Sequence, residues 1–394
     1  MRILFTRFPL ESADGGSENQ TIWLMEGLRA RGHEVSFLGS CDVLLRRTKE
    51  LGMKNDELRI GIPPVTKWGA ISFLWRRKKM QQTLIAEVQK LSTFPTCPVG
   101  RHFPPSTLIM LSLSEKLLLT PWAVSQGMRV IWIEHDRIGA WLRWNPWLPM
   151  LRRLSKLVTI VCVSELSRKM YEEIGFEKSN LIAIPNGIPS PLPSARPNVP
   201  IRYGRGEGSG VREEKQLRLG CLSRLSPEKG VDVLIQSLES LPEVSLSIVG
   251  KGRDEAYLRQ LILDDTQRMG GERITLTSSV EDLDAFYRSL DVLVLPSSDH
   301  DPFGLVAAEA MMRGLPVIIT DACGIAGYME HDEDALIVPA GSPRALTDAI
   351  QHLLEPRARE RLGARGQTKA EERFSLSRMI DAYEELLLGE RKCV

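Results

Sequence analysis

Two acids eight positions apart, Asp301 and Glu309, bracket the run Phe303-Gly304-Leu305-Val306 in the stretch DHDPFGLVAAEAMMRGLPVI. If the run is helical, Glu309 shares a face with Leu305 and Met312. A carboxylate on such a packed face is costly unless something donates hydrogen bonds to it. The donor is either a neighbour such as Arg313 or a ligand, and ribose hydroxyls are suitable donors. The N–H groups from Phe303 to Val306 would open the helix and make an anion site. Asp301, just before them, could instead be an acid of the N-cap region that needs no ligand.

CLSRLSPEKGVDVLIQS carries a second set of residues. Arg224 falls at the carboxyl end of a predicted strand, where open α/β sheets bind ligands. Ser226 and Pro227 fit the N-cap and first position of the next helix. Lys229 then falls in the first helical turn, where the macrodipole disfavours a cation. A bound diphosphate would reverse that penalty and also engage Arg224. A solvated Lys229 paired with Glu228 or Asp232 is the alternative. Gly250, with Lys251 and Gly252, marks a strand-turn-helix unit that either approaches a nucleotide or makes a tight connection.

Gly15-Gly16-Ser17 lies in the first strand-to-helix loop. Glycines there let backbone N–H groups approach an anion, although a plain turn uses the same residues. The pattern is not GxGxxG, which argues against a dinucleotide fingerprint in this loop. His135, after VIWIE, sits at a strand's carboxyl end and is either functional or structural. His33, near a helix C-terminus, reads as structural.

These residues need strands and helices to hold them, and the apolar pattern supplies both. Strands are predicted at Arg2–Thr6, Val35–Leu38, Thr107–Leu113, Arg129–Ile133 and Thr159–Val163. A second series follows at Leu217–Ser223, Val244–Val249, Ile274–Leu276, Val292–Leu295 and Pro316–Thr320. Ile22, Met25 and Leu28 recur at helical spacing before Gly32, a C′ glycine. Val231, Leu234, Ile235 and Leu238 form another stripe, and Leu376–Leu388 reads as a terminal helix. Alternating strands and helices predict parallel sheets. Residues 189–215, dense in Pro, Gly and charge, read as a linker or exposed insertion.

A chain of 394 residues is long for one core, so two domains are expected. Residues 1–190 hold 26 Lys/Arg against 17 Asp/Glu, a balance of +9, and the rest hold 25 against 33, or −8. All eight tryptophans, Trp23 to Trp147, lie in the basic half. Trp141, Trp144 and Trp147 among Arg143, Arg152 and Arg153 suit a membrane interface, and Arg76 to Lys79 could meet anionic headgroups. An acceptor-pocket wall, ordinary core or a solvated loop would use the same residues. No nucleic-acid motif accompanies the charge. The six cysteines form no CxxC or zinc spacing, which points to reduced thiols in a cytoplasmic protein. No signal-peptide core and no 18-residue apolar run occurs.

Taken in order, the first-loop GG, IPNGI, SRLSPEKG, the VGKG turn, LDVLVLPSS and FGLVAAEAMMRGLPVI are similar to motifs of the retaining, GT-B-fold glycosyltransferases of the group 1 family. The resemblance spans nearly the whole chain and is strongest from Leu217 to Ala340. It implies an α/β fold of two Rossmann-like domains facing a central cleft, at 1–190 and 216–370. A linker would occupy 191–215, and a helical segment at 371–394 would pack back on the first domain.

The function so implied is transfer of a hexose-type sugar from a nucleoside-diphosphate sugar to a glycan or lipid-linked acceptor, in cell-surface glycan or glycolipid synthesis. Gly15 and Gly16 would face the donor and His135 the transferred sugar. Arg224, Lys229 and the N–H groups near Leu305 and Val306 would bind the diphosphate. Glu309 would hold the ribose and the backbone around Val280 the base. No cofactor and no metal are expected, and peripheral contact with an anionic membrane is. Asp301 stands where the family more often has Glu. That departure keeps a non-catalytic binding subunit as an alternative, beside a nucleotide-sugar epimerase of the same fold.

Overall fold

Apolar β-branched runs pair into two sheets in the computed structural model, which describes residues 1–10, 15–91, 105–190 and 216–389. The first sheet contains β1 (Arg2–Arg7), β2 (Glu34–Gly39), β3 (Lys54–Glu57), β4 (Thr107–Met110), β5 (Arg129–Glu134), β6 (Thr159–Cys162) and β7 (Leu181–Ala183). Its order is β3-β2-β1-β4-β5-β6-β7. The second contains β8 (Leu217–Leu222), β9 (Val244–Val249), β10 (Ile274–Thr277), β11 (Val292–Leu295), β12 (Val317–Thr320) and β13 (Leu336–Val338), in the order β10-β9-β8-β11-β12-β13.

Every pairing is parallel; Phe5, for example, registers with Phe37 on one side and Ile109 on the other. Parallel strands covered on both faces need continuous apolar runs, and β4 and β11 are buried at every position. Strand order reverses between β1 and β4 and again between β8 and β11. Ligands of open α/β sheets favour the carboxyl ends of strands at such switch points.

Each sheet has its own core. Leu4, Phe73, Leu84 and Trp132 belong to the first, and Leu219, Leu234, Val294 and Ile350 to the second. One compact unit contains Met1–Asn186 with the chain from Met379 onward, and the other is Gly187–Arg378. The terminal helix Leu376–Leu388 therefore joins the first unit. Arg31 pairs with Asp381 and Glu384, His33 Nε2 lies 3.2 Å from Glu384, and Ile380 fills the space over Gly27. A Cβ on Gly27 would come within 2.1 Å of Ile380 Cδ1. The first boundary falls at 186/187, ahead of the expected 190, and the helix Pro356–Phe374 stays with the second unit. The expected linker at 191–215 lies outside the described residues.

Some elements differ from expectation for local reasons. The strand expected at Thr107–Leu113 stops at Met110 because Ser112 and Glu115 form a capping box that starts the helix Leu113–Ser125. β3, with the sequence KNDE, shows no apolar alternation because it is an edge strand. Trp147 is core rather than interface. Its Nε1 donates to Ala70 O at 3.1 Å, and its ring meets Phe73 edge-on.

Candidate active site

In the second unit the residues singled out by sequence gather at the β8/β11 switch point. Arg224 follows β8 and is exposed, with no side-chain partner among the described residues. The chain then makes a short 3-10 turn, Pro227–Lys229, and Gly230 takes a left-handed conformation at φ 62°. A Cβ there would meet Pro296 O at 2.2 Å, so only glycine lets this turn pack against the segment after β11. The α-helix begins at Val231, after the glycine. Lys229 is thus outside the helix, just before its N-cap, which corrects the expected first-turn position. Ser226 precedes the 3-10 turn and makes no side-chain cap.

Lys229 pairs with neither Glu228 nor Asp232. Its Nζ donates to Asp301 Oδ2 at 2.7 Å, and Ser297 Oγ donates to the same oxygen at 3.2 Å. Asp301 is buried, and its backbone is held on both sides: its N–H donates to Ala322 O, and its carbonyl accepts from Gly324 N, each at 2.9 Å. Asp301 is therefore no N-cap. That position belongs to Gly304, at φ 98°, which opens the helix Leu305–Met311. The N–H groups of Leu305 and Val306 have no backbone acceptor among the described residues, as helix starts do. The Phe303 ring is buried edge-on to Phe374, and its carbonyl accepts from Ile325 N, so it acts in packing.

Glu309 is half-buried, and burial raises its pKa. The expected donor Arg313 reaches its backbone carbonyl, at 2.8 Å, not its carboxylate. The carboxylate instead takes the hydroxyl of Tyr287, on the helix Leu283–Ser289, at 2.8 Å on Oε2. Arg313 holds that ring from above, 4.8 Å from its centroid, and is itself anchored by Asp284. Oε1 of Glu309 accepts no bond among the described residues. Gly250 is explained by packing, since a Cβ would lie 1.9 Å from Ser223 O. Gly252 faces Leu225 O in the same way at 2.0 Å, so the tight connection accounts for both glycines. Val280 is half-buried in the turn after β10.

In the first unit, Gly15 caps the helix Gly16–Ala30 with extended backbone. Glu18 in its first turn is buried and pairs with Arg7, the last residue of β1, at 2.6 Å. Ser17 Oγ donates to Glu18 at 2.8 Å, and Phe8 N donates to Ser112 Oγ at 3.0 Å, joining the loops after β1 and β4. His135, after β5, is half-buried, and desolvation beside Arg7 and Lys116 lowers its pKa to about 3. The neutral imidazole is the stable form. Near it Lys116 Nζ meets Glu134 at 2.8 Å, and Tyr171 donates to the other carboxylate oxygen at 2.9 Å. No cluster of three or more His, Cys, Asp or Glu suited to a metal occurs among the described residues.

Two family models cover most of the chain. One, "Glycosyl transferases group 1", matches residues 208–369, and the other, "Glycosyltransferase Family 4", matches residues 14–190. The chain belongs to the group 1 glycosyltransferases. A Rhizobium meliloti lipopolysaccharide core biosynthesis glycosyltransferase, LpsD, is 29% identical over 70% of this chain and 80% of its own length. A Mycobacterium tuberculosis GDP-mannose-dependent alpha-(1-6)-phosphatidylinositol monomannoside mannosyltransferase is 30% identical over 64% of this chain and 67% of its own. A Streptomyces coelicolor exopolysaccharide phosphotransferase is 29% identical over 70% of this chain, but the match spans only 28% of that longer protein. The structure of Anabaena Alr3699/HepE with UDP-glucose superimposes with a TM-score of 0.73, at 19% identity and over 99% and 100% of the two chains. That likeness makes the fold GT-B.

Within this glycosyltransferase, sequence reasoning found the anchors and missed their partners. Tyr287 lies 22 residues before Glu309 and on another helix, so no spacing pattern links them. Ser297 sits in the LPSS run without a signature of its own. The Arg7–Glu18 pair was accessible, because an acid in the first turn after a Gly-Gly loop suits a helix N-terminus.

Proposed function

We propose that the protein transfers a hexose-type sugar from a nucleoside-diphosphate sugar to a glycan or lipid-linked acceptor with retention at the anomeric carbon. The observation that carries this reading is the Lys229–Asp301 pair beside exposed Arg224 at the β8/β11 switch point. Two cations there suit a diphosphate, and an acid within reach of one of them suits the sugar attached to it. Glu309, with one oxygen held by Tyr287 and the other without a donor among the described residues, suits a ribose diol. The roles of the relatives, a lipopolysaccharide core enzyme and a mannosyltransferase acting on a phosphatidylinositol mannoside, support the acceptor class.

In the proposed reaction the bond from the anomeric carbon to the diphosphate oxygen breaks. A bond to the acceptor oxygen forms on the same face. The acceptor's proton passes to the departing phosphate oxygen, so no strong protein base is needed. Arg224, Lys229 and the N–H groups of Leu305 and Val306 stabilise the charge that grows on the diphosphate, a preorganised electrostatic role. Neutral His135 donates or accepts a hydrogen bond at a sugar hydroxyl. The reaction uses the nucleotide sugar as co-substrate and calls for no further cofactor.

Incubation with a panel of UDP- and GDP-sugars tests the proposal. Slow release of free sugar and nucleotide, lost in Arg224→Ala, supports it. An altered sugar still on its nucleotide would mean an epimerase, and tight binding without release even with lipid and glycan acceptors would mean a binding subunit.

A further inference from the structure

The helix Lys67–Leu91 carries a feature that sugar transfer does not use. Trp68, Ile71, Leu74 and Trp75 lie on one side of its first half and are 77%, 45%, 53% and 85% exposed. Phe73 and Met80 on the opposite side enter the core. At 100° per residue the exposed four span little more than a third of a turn, and Lys78 and Lys79 continue the same face. Neither lysine has an ion-pair partner among the described residues. From Leu58 to Ala86 the chain holds no acid and six Lys/Arg.

A neighbouring segment carries another exposed indole. Asn145 Nδ2 donates to Pro64 O at 2.7 Å, and Trp147 donates to Ala70 O. These bonds seat the turn before Trp147 against the start of the helix and leave Trp144 86% exposed. Large exposed apolar patches mark interaction surfaces. Indole rings beside aliphatic side chains and flanking lysines match a membrane interface, where the rings sit at headgroup level and the ammonium groups reach phosphates.

We propose that this face, centred on Trp68 and Trp75, docks the protein peripherally on an anionic lipid bilayer. The inference stands apart from the transfer chemistry and would hold for an inactive chain. Two observations favour lipid over other occupants. A twofold contact between copies would set Lys78 and Lys79 against like charges with no acid to meet them. A nucleic-acid strand would use the cations and rings but leave Ile71 and Leu74 without a role.

Sedimentation of the full-length protein with vesicles tests this. Wild type should pellet with phosphatidylcholine vesicles that contain phosphatidylglycerol, remain in solution with phosphatidylcholine alone, and be released by salt. Lys78→Gln with Lys79→Gln should lower partitioning about thirtyfold, from two charges at the usual increment per basic residue. Trp68→Ser with Trp75→Ser should lower partitioning and remove most of the blue shift of tryptophan fluorescence on binding. All four side chains are exposed, and an unchanged melting temperature verifies that the variants fold. Arg76 and Arg77 are left intact because Arg76 bonds Ile62 O and Arg77 stacks on Trp147. Equal recovery with neutral vesicles, or binding unaffected by either double variant, would overturn the proposal. So would concentration-dependent dimerisation that the Trp68/Trp75 variant removes while vesicle binding stays absent.

Discussion

Each unit places an ion pair at its switch point, and the two pairs are built differently. Arg7–Glu18 joins the end of β1 to the helix that follows it, within one loop. Lys229–Asp301 joins the loop after β8 to the loop after β11, across 72 residues. In the first pair Ser17 bonds both partners, and only the buried Arg7 Nε has no acceptor among the described residues. Among the described residues, the second retains an Asp301 oxygen without a donor, and Arg224 after β8 has no side-chain partner. A local pair fixes the shape of a loop. A long-range pair that faces an open strand end can exchange its partners for a ligand's charges, and that difference makes the second unit the better candidate for donor binding.

The comparison breaks most readily at Lys229. Lys229→Met should lower turnover by about a hundredfold or more, as expected for a lost charged donor at a developing anion. It also leaves Asp301 buried without its counter-ion, so the protein should melt earlier. Arg7→Met should destabilise by about 3 kcal/mol, as for a broken buried pair, yet leave affinity for free nucleotide unchanged. Calorimetric melting and nucleotide titration on both variants separate the roles. Equal nucleotide affinities in both would mean that the two pairs are alike and structural.

Glu309→Gln comes next. Loss of a charged acceptor for ribose hydroxyls should weaken nucleotide binding by about ten- to a hundredfold, or 1.5–3 kcal/mol. Unchanged binding with a lowered melting temperature would mark Glu309 as a helix-face acid.

Tyr287→Phe should be milder, near fivefold for a lost bond of about 1 kcal/mol. It also has a pH signature. Burial raises the pKa of Glu309, and the Tyr287 hydroxyl opposes that rise. Only the carboxylate accepts two ribose hydroxyls, so nucleotide affinity should fall as pH drops through the Glu309 pKa. Removing Tyr287 raises that pKa further and should move the fall to higher pH. An unshifted profile would separate Tyr287 from Glu309.

Asp301→Glu should have the smallest effect, within about threefold in turnover, roughly one weak hydrogen bond of about 0.5 kcal/mol. It retains the charge beside Lys229, and its added methylene faces a site held mainly by backbone bonds. A larger loss would show that the reach of Asp301 to the sugar is set to the shorter acid.

The amino-acid sequence by itself determined the two parallel sheets. Buried strands must be continuous apolar runs, and β1, β5, β11 and β12 each announce themselves in that way. It also singled out Arg224 and Asp301, which follow β8 and β11, and Glu309 on the helix after Gly304. Edge strands β3, β7 and β13 were not legible, since β3 has no apolar residue and β7 and β13, with three residues each, are too short to show a pattern. Tertiary structure alone decided the partners. Lys229 reaches Asp301 only because left-handed Gly230 turns the chain out of the helix and against Pro296. Tyr287 meets Glu309 only because two helices pack side by side. The tryptophans divide in the same way: Trp147 enters the core, while Trp68 and Trp75 stay in solvent. Helical spacing gives each residue a face, but it is the packing of other elements that decides which face is covered.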